Sequence, residues 1–299
     1  LQNIRNTKKE KEMKIAYLIL CHKNPQQVDK LINQLNDGNC DFYIHIDKKT
    51  SKFNLKDNDH IFLCPNSKRV DIQWATFSMI QATLNLIELL LRQKQNYDYI
   101  CLLSGQDFPI KSNEYIQTFL SNNKGNNFIE IISHNHPYYK RYKKRVDIYY
   151  PTFLMKRNIV SKMTRRMLIY ISGGYNNTFQ ILQRKYVFKK AEFGSQWWVL
   201  TYSCIEWIHN FLIENPQYIR FFENSATPDE CFFQTLFNMS PYRATLRPKL
   251  MYLNWSENKN NPRILTKSDL ENIKCESYCI FARKFDFTID NSILELFSS

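Results

Sequence analysis

The segment Tyr99-Ile-Cys-Leu-Leu-Ser-Gly-Gln-Asp-Phe-Pro-Ile110 contains an apolar run of strand length that ends abruptly in polar residues and a proline. In open α/β sheets, ligands bind at the carboxyl ends of the strands, so this turn is a candidate site. Gly105 would let the backbone approach a ligand closely, and Asp107 would present a carboxylate to it. The alternative is an ordinary turn in which Asp107 caps the next helix. Local chemistry alone favours the ordinary turn. The other motifs of the chain, taken together, favour the candidate site instead.

Strand-like and helix-like segments alternate through the N-terminal part of the chain. The predicted strands cover residues 14–21, 41–47, 61–64, 99–103 and 127–132. Between them, apolar residues recur at helical spacing after Pro25 and from Asp71 to Arg92. This alternation predicts right-handed βαβ units, and therefore an α/β fold with a mostly parallel central sheet flanked by helices.

No linker, repeat or low-complexity tract divides the chain. We predict a single domain over residues 13–299, with a nucleotide-binding half over 13–132 and a less regular, aromatic-rich C-terminal elaboration over 133–299. Residues 1–12 are polar and basic and are interpreted as a tag, leader or disordered extension. Neither a G-x-G-x-x-G nor a Walker sequence occurs, which argues against a dinucleotide enzyme and a P-loop NTPase.

Composition restricts the class of partner and the compartment. The 41 Lys and Arg residues exceed the 28 Asp and Glu residues, and this net charge of +13 favours nucleotide phosphates, nucleic acid or an acidic membrane face. The eight cysteines include no CxxC pair, and Cys64 and Cys101 lie in apolar runs, so a reduced, cytosolic protein is expected. No apolar run reaches the roughly 20 residues of a membrane span, and no signal peptide is evident.

The stretch Tyr138–Arg166 interleaves basic residues with tyrosines and aliphatic residues. Such a surface can bind single-stranded nucleic acid through phosphate contacts and stacking. It can also lie on an anionic bilayer, form a wall of a sugar site, or remain a solvated face. No RRM, KH or zinc-finger signature occurs, so a membrane-surface or acceptor-site role is favoured over nucleic-acid binding.

Three clusters follow in the C-terminal half. Gly194-Ser-Gln-Trp-Trp198 is typical of a sugar platform or of a packed core. In Ala226-Thr-Pro-Asp-Glu230, Pro228 suits a first helical turn, where the helix dipole favours an ionised Glu230. That carboxylate is either a general base or a simple complement to the dipole. Phe281-Ala-Arg-Lys-Phe-Asp286 is either a surface strand or a cationic clamp for a diphosphate.

Together these motifs resemble the core-2/I-branching glycosyltransferases, which include β-1,6-N-acetylglucosaminyltransferases and peptide O-xylosyltransferases. The resemblance runs in order through nearly the whole chain, and its strength lies in the series rather than in any one piece. The pieces are Ala16–His22, His45–Asp47, Trp74, Leu103–Pro109, Gly194–Trp198, Thr227–Glu230, Asn254–Trp255, Pro262–Arg263 and Phe281–Phe285.

The resemblance implies a GT-A-like fold and inverting transfer from a UDP-sugar, with no divalent metal and no other cofactor. It places Glu230 as the catalytic base that takes a proton from the acceptor hydroxyl. The donor-binding residues that it implies are Asp47, Trp74, Asp107, Arg263 and Lys284. The acceptor-binding residues are Glu130, Arg145, Trp197 and Trp198. Asp57-Asn-Asp59 has the Asp-x-Asp spacing of metal-dependent enzymes, but its charged surroundings indicate a solvated loop.

The sequence therefore favours an inverting, metal-independent glycosyltransferase. It would move N-acetylglucosamine, xylose or another hexose to a glycan or lipid-linked glycan. The expected setting is the bacterial cytoplasm, in surface polysaccharide synthesis, with peripheral contact to the anionic inner face of the membrane and no nucleic-acid partner. One alternative is a non-catalytic carbohydrate-binding protein that uses Trp197 and Trp198. Another is a nucleic-acid-binding protein, whose affinity would fall steeply with salt.

Overall fold

The structure is a computed structural model that describes residues 13–56, 59–151, 158–174, 177–178, 181–256 and 261–297. The predicted N-terminal extension over residues 1–12 lies outside the described residues. So does Asp57 of the Asp-x-Asp sequence.

Two sheets are built from short and mostly buried strands. The strands are β1 (Ile15–Cys21), β2 (Cys40–Ile46), β3 (Ile61–Leu63), β4 (Tyr99–Ser104), β5 (Asp107–Pro109), β6 (Asn127–Ile129), β7 (Trp198–Thr201), β8 (Leu246–Arg247), β9 (Met251–Leu253) and β10 (Phe281–Arg283). The five strands predicted from the N-terminal part of the sequence are present, with ends shifted by up to three residues.

Helices connect and cover these strands. The helices of the described residues are α1 (Pro25–Leu35), α2 (Ser78–Arg92), α3 (Asn113–Asn122), α4 (Tyr139–Asp147), α5 (Ile159–Ile171), α6 (Tyr202–Glu214), α7 (Pro216–Glu223), α8 (Phe232–Met239), α9 (Leu270–Lys274) and α10 (Ser292–Glu295). Among the described residues, every helix is too short or too polar to cross a bilayer.

The main sheet has the strand order β3-β2-β1-β4-β7-β6-β8. β1 pairs in parallel with both β2 and the central strand β4, and β2 pairs in parallel with β3. β7 is antiparallel to both of its neighbours. The predicted α/β architecture with a mostly parallel central sheet is thus confirmed. A second sheet, in the order β5-β10-β9, lies beyond the carboxyl end of β4.

The centre of the main sheet is fully buried because helices cover both of its faces. Every residue of β1 and β2 is buried, which explains why the sequence there reads as apolar runs. α1 turns Val28, Leu31 and Leu35 toward the sheet, as the helical spacing predicts. The eight cysteines are all free, and six of them are buried.

α2 begins at Ser78, so the prediction of a helix from Asp71 is wrong by seven residues at its start. Ala75 has φ 64°, a left-handed conformation that an α-helix cannot continue through. The Ser78 hydroxyl accepts a hydrogen bond from the Gln73 backbone N–H at 2.8 Å, which closes a turn before the helix. Trp74 therefore lies in this turn. The sequence predicted that it lies in the first part of the helix, and this prediction is wrong.

A buried ion pair joins the turn after β4 to the second sheet. Arg283 of β10 donates to Asp107 Oδ1 at 2.9 Å, and Asp107 has no exposed surface. The Ser104 backbone N–H donates to the other carboxylate oxygen at 2.7 Å. Burial raises the pKa of Asp107, and the Arg283 guanidinium opposes that shift. Asp107 thus begins a strand and holds an arginine, and does not cap a helix.

We expect Arg283→Met to lower the free energy of unfolding by about 3–5 kcal/mol, because it leaves the buried Asp107 carboxylate without its counter-charge. Urea titration followed by circular dichroism measures this change. The double variant Asp107→Asn/Arg283→Met should lose less than the sum of the two single losses. Arg247→Met, on an exposed arginine, serves as the control. Equal, small losses for Arg283→Met and Arg247→Met would contradict the role given to the pair.

Candidate active site

Five strand ends converge at one edge of the main sheet. β1, β2 and β4 run in parallel and end there. β7 is antiparallel to β4, so its first residue lies at this edge, and β6, antiparallel to β7, ends there as well. Asp47, Ser104, Glu130 and Trp197 flank these strand ends in sequence. The topology therefore gathers motifs that are far apart along the chain at the place where open α/β sheets bind ligands.

Asp47 follows β2 and is held firmly at this edge. Its backbone N–H donates to the Cys21 carbonyl at 2.8 Å, which extends the pairing of β1 and β2. Its buried carboxylate accepts a hydrogen bond from the Lys49 backbone N–H at 2.9 Å and lies 3.6 Å from the Lys49 ammonium. Arg69 donates to the Asp47 carbonyl at 2.7 Å. The carboxylate predicted to bind the donor is thus fixed in a turn rich in cations.

A group of basic side chains lies beside the ends of β1 and β10. Burial lowers the pKa of His22, and the nearby Lys23 and Lys284 lower it further. Burial also lowers the pKa of Lys284, and Arg283 and Lys23 add to that shift. The Lys284 ammonium forms no hydrogen bond or ion pair with the described part of the chain. Like charges held together in this way favour binding of an anion.

Arg263 and Trp74 belong to neighbouring segments, and their predicted donor contacts stay predictions. Arg263 pairs with the buried Asp269 at 2.5 Å, so its guanidinium is engaged within the C-terminal segment. Two residues later, the Leu265 backbone N–H donates to the Lys284 carbonyl at 2.8 Å. The Trp74 side chain is about half exposed.

Glu230 lies in a single 3-10 turn over Pro228–Glu230, preceded by Thr227 with φ 50°. α8 begins only at Phe232, so the prediction that Glu230 lies in the first turn of this helix is wrong. Cys231, with φ −142° and ψ −34°, lies between Glu230 and Phe232 and interrupts the helical conformation, so the acidic residues are separate from α8. The Thr227 backbone N–H donates to the Ala75 carbonyl at 3.0 Å, which joins this turn to the turn that carries Trp74.

The Glu230 carboxylate forms an ion pair with Arg145 of α4, whose guanidinium lies 4.6 Å from the ring centre of Tyr142. The Glu230 side chain keeps 33% of its surface exposed, so a solute can reach it. Burial of the group raises the pKa of Glu230, Arg145 lowers it, and Glu130 raises it. A carboxylate with a raised pKa is a stronger base than an ordinary glutamate.

Glu130 lies next to Glu230, and its carboxylate is held by two contacts. One carboxylate oxygen accepts a hydrogen bond from Lys249 at 2.5 Å, and the other accepts one from the Ser195 backbone N–H at 2.8 Å. The Gly194 backbone N–H donates to the Glu230 carbonyl at 2.9 Å. A Cβ atom on Gly194 would lie 1.9 Å from the Glu130 carbonyl oxygen, so only glycine fits between the two glutamates.

Trp197 and Trp198 do not form a sugar platform, and this prediction is wrong. Trp198 is 1% exposed and packs against Phe233 with ring centres 5.3 Å apart. Trp197 is 8% exposed, and the Arg283 guanidinium lies 4.2 Å from its ring centre. Both rings are therefore packing elements, of which Trp197 supports the buried ion pair. The alternative of a carbohydrate-binding protein loses its main support.

Sequence reasoning missed two buried polar groups beside the site. Asp229 Oδ1 and Gln196 Nε2 are buried without a hydrogen-bond partner and line one small cavity with Ile80, Leu102 and Phe233. Burial and the neighbouring Glu230 raise the pKa of Asp229 to about 7. Both residues lie inside motifs that the sequence singled out, but nothing in the sequence showed that the two motifs meet. Lys249, the partner of Glu130, had no sequence signal at all.

Fold and site together define an α/β protein with a candidate active site at the carboxyl edge of its mostly parallel sheet. Residues 15–276 match the family described as Branch: Core-2/I-Branching enzyme, and the chain belongs to that family. This confirms the family predicted from the order of the motifs. Within the described ranges, no three His, Cys, Asp or Glu side chains come together as a possible metal site.

The chain is also similar to named glycosyltransferases. It is 26% identical over 237 residues to beta-1,3-galactosyl-O-glycosyl-glycoprotein beta-1,6-N-acetylglucosaminyltransferase 4 of Mus musculus, covering 77% of this chain and 48% of the relative. It is 25% identical over 312 residues to xylosyltransferase 2 of Rattus norvegicus, covering 95% and 33%. The chain thus spans half or less of the length of these relatives. Mouse xyloside xylosyltransferase 1 aligns with a TM-score of 0.33 and 9% identity over 90% of this chain and 97% of that chain.

We expect Asp229→Asn to remove a pH dependence of stability. An unfolded aspartate has a pKa of about 3.9, whereas the pKa of Asp229 in the folded chain is about 7. Between these values the folded chain retains a proton that the unfolded chain has released, so the stability that Asp229 contributes is lost as pH rises toward about 7.

The measurement is the free energy of unfolding of wild type and variant, by urea titration across this pH interval. The difference, wild type minus Asp229→Asn, should fall by up to about 1.4 kcal/mol per pH unit and then level off. A difference that does not change with pH would show that Asp229 is ionised throughout.

Proposed function

We propose that this protein transfers a sugar from a UDP-sugar to a hydroxyl of a glycan acceptor, with inversion at the anomeric carbon and without a divalent metal. N-acetylglucosamine is the preferred donor sugar, with xylose or another hexose as alternatives, in line with the names of its relatives. The observation that carries the proposal is the accessible Glu230 carboxylate, paired with Arg145 beside Glu130 at the ligand-binding edge of the sheet.

In the proposed reaction, Glu230 accepts the proton of the acceptor hydroxyl while that oxygen attacks the anomeric carbon. The new bond joins acceptor oxygen and anomeric carbon, and the bond from that carbon to the diphosphate oxygen breaks. UDP leaves with the electron pair, on the face opposite to the attack, so the configuration inverts. Base catalysis of this kind contributes about 100- to 10,000-fold to the rate.

The leaving diphosphate needs positive charge, which the proposal assigns to protein side chains. Lys284 is the main candidate, because its ammonium is half-buried, lies among other cations and has no carboxylate partner within the described residues. Asp107 has no exposed surface, so its part is to position Arg283, and with it the adjacent Lys284. Fixed charges of this kind stabilise a developing anion without reorganisation.

The acceptor side is assigned to the pair of glutamates and their cations. Glu130 and Lys249 present a carboxylate and an ammonium beside Glu230, and both side chains are partly exposed. Sugar hydroxyls can donate to the first and accept from the second. A cytoplasmic role in surface polysaccharide synthesis remains part of the proposal, supported by the eight free cysteines, which are typical of a reducing compartment.

Glu230→Gln should lower kcat by about 100- to 10,000-fold, because the amide cannot accept the acceptor proton. Release of UDP from UDP-N-acetylglucosamine in the presence of a glycan acceptor panel measures turnover, and a thermal-shift titration measures UDP binding. Binding should remain close to that of the wild type.

The matched control is Glu223→Gln, on an exposed glutamate at the end of α7, which should leave both readouts unchanged. Turnover retained in Glu230→Gln would remove the base assignment. Loss of UDP binding in the same variant would mean that Glu230 acts on the donor instead.

Turnover should survive treatment with EDTA, because in the proposed reaction side chains, and not a divalent metal, neutralise the charge of the leaving diphosphate.

Lys284→Gln should lower kcat/KM by about 100- to 1,000-fold, the usual cost of losing one group that stabilises a developing anion. Lys274→Gln, an exposed lysine of α9, is the control. Activity that EDTA abolishes and manganese restores would favour a metal-dependent enzyme.

A further inference from the structure

Helix α5 turns its apolar side chains outward. Six large apolar residues on this helix have between 62% and 86% of their surface exposed. They are Ile159, Val160, Met163, Met167, Tyr170 and Ile171. Soluble monomers rarely expose apolar side chains in such a contiguous group, so this surface needs an explanation.

The exposed residues share one face of the helix. At about 100° per residue, the six side chains fall within an arc of about 120°. The opposite side carries Ser161, which is buried, and the partly buried Ile169. The helix therefore lies on the rest of the chain through its more polar side and leaves its apolar face uncovered by the described residues.

Basic residues occupy the part of the helix outside the apolar face. Lys162, Arg165 and Arg166 are exposed; Arg166 borders the arc, whereas Arg165 lies opposite its centre. No aspartate or glutamate occurs between residues 158 and 174. This helix has an apolar face rich in Met, Ile and Tyr, and the charged residues on the rest of its surface are all basic. This is the pattern of helices that lie in the interface of an anionic bilayer.

Helix α5 lies in a segment whose two ends are close to the candidate base, Glu230. The chain leaves α4 and returns where the Tyr149 backbone N–H donates to Leu182 at 2.8 Å and the Arg184 N–H donates to Asp147 at 3.0 Å. Arg145, two residues before Asp147, pairs with Glu230. The segment that carries α5 is therefore anchored next to the residues of the candidate acceptor side.

We infer that α5 is a membrane-docking helix that inserts its apolar face into the headgroup region of a bilayer containing anionic lipid. A second copy of this chain fits this surface less well, because it would bring two sets of three cations together. The bilayer removes the apolar face from water and gives each nearby basic residue about 1 kcal/mol of attraction.

Docking would place the Glu230 edge near the headgroups, where a lipid-linked glycan would present its hydroxyls. This last step rests on the proposed function, whereas binding to the bilayer does not. The sequence predicted membrane contact for the whole stretch Tyr138–Arg166. The inference assigns this contact to α5 and its basic residues.

The test is co-sedimentation of the full chain with large unilamellar vesicles, made either of phosphatidylcholine alone or of phosphatidylcholine mixed with phosphatidylglycerol. Wild type should bind the anionic vesicles, and added salt should weaken the binding. The double variant Met163→Asp/Met167→Asp should bind at least about tenfold more weakly. Ile213→Asp, on an exposed isoleucine of α6, is the matched control and should bind like the wild type.

Circular dichroism and a thermal shift with UDP check that each variant is folded. Failure of the wild type to bind anionic vesicles would overturn the inference, as would equal losses in the α5 variant and in Ile213→Asp. A concentration-dependent dimer that the α5 variant abolishes would also overturn it, in favour of a second copy. Vesicle binding without any sugar transfer would support the docking helix and reject only the proposed reaction.

Discussion

The Asp107–Arg283 ion pair is the contact on which the arrangement of the site depends. It joins the turn after the central strand β4 to the middle strand of the second sheet, across 176 residues of sequence. Arg283 in turn rests on Trp197 and precedes Lys284 in the chain. Because the buried carboxylate would be costly without its partner, the pair ties three motifs to one position. The second sheet thus holds the cation Lys284 at the edge of the main sheet.

The charges at this edge are divided between two sides. Around the ends of β1 and β10, burial and neighbouring cations lower the pKa values of His22 and Lys284, and a concentration of positive charge of this kind favours binding of an anion. On the other side, Glu130 and Glu230 lie close enough to raise a carboxyl pKa, and each has its own cation. The molecule therefore separates a cationic side of the candidate site from a side that carries two glutamates, and Gly194 lets these glutamates approach.

Much of the fold followed from periodicity, because buried parallel strands need apolar runs and covering helices need an apolar stripe. β1, β2, α1 and β4 were predicted close to their observed limits. The errors occurred where the backbone leaves helical geometry. Ala75, with φ 64°, lies just before α2, and Cys231 interrupts the helical conformation between Glu230 and α8, although neither is a glycine that would signal such a break. Trp197 and Trp198 were misassigned because an aromatic residue has the same sequence signal in a core as in a binding site.

The sequence by itself determined the family, the α/β class and the identity of the chemical groups, since the motifs and their order are written along the chain. Only the tertiary structure decided which groups meet. It assigned Arg145 and Lys249 to the two glutamates, buried Asp107 under Arg283, and turned the apolar face of α5 outward. The physical reason is that pairing, burial and pKa depend on distances between residues remote in sequence, which local spacing does not contain.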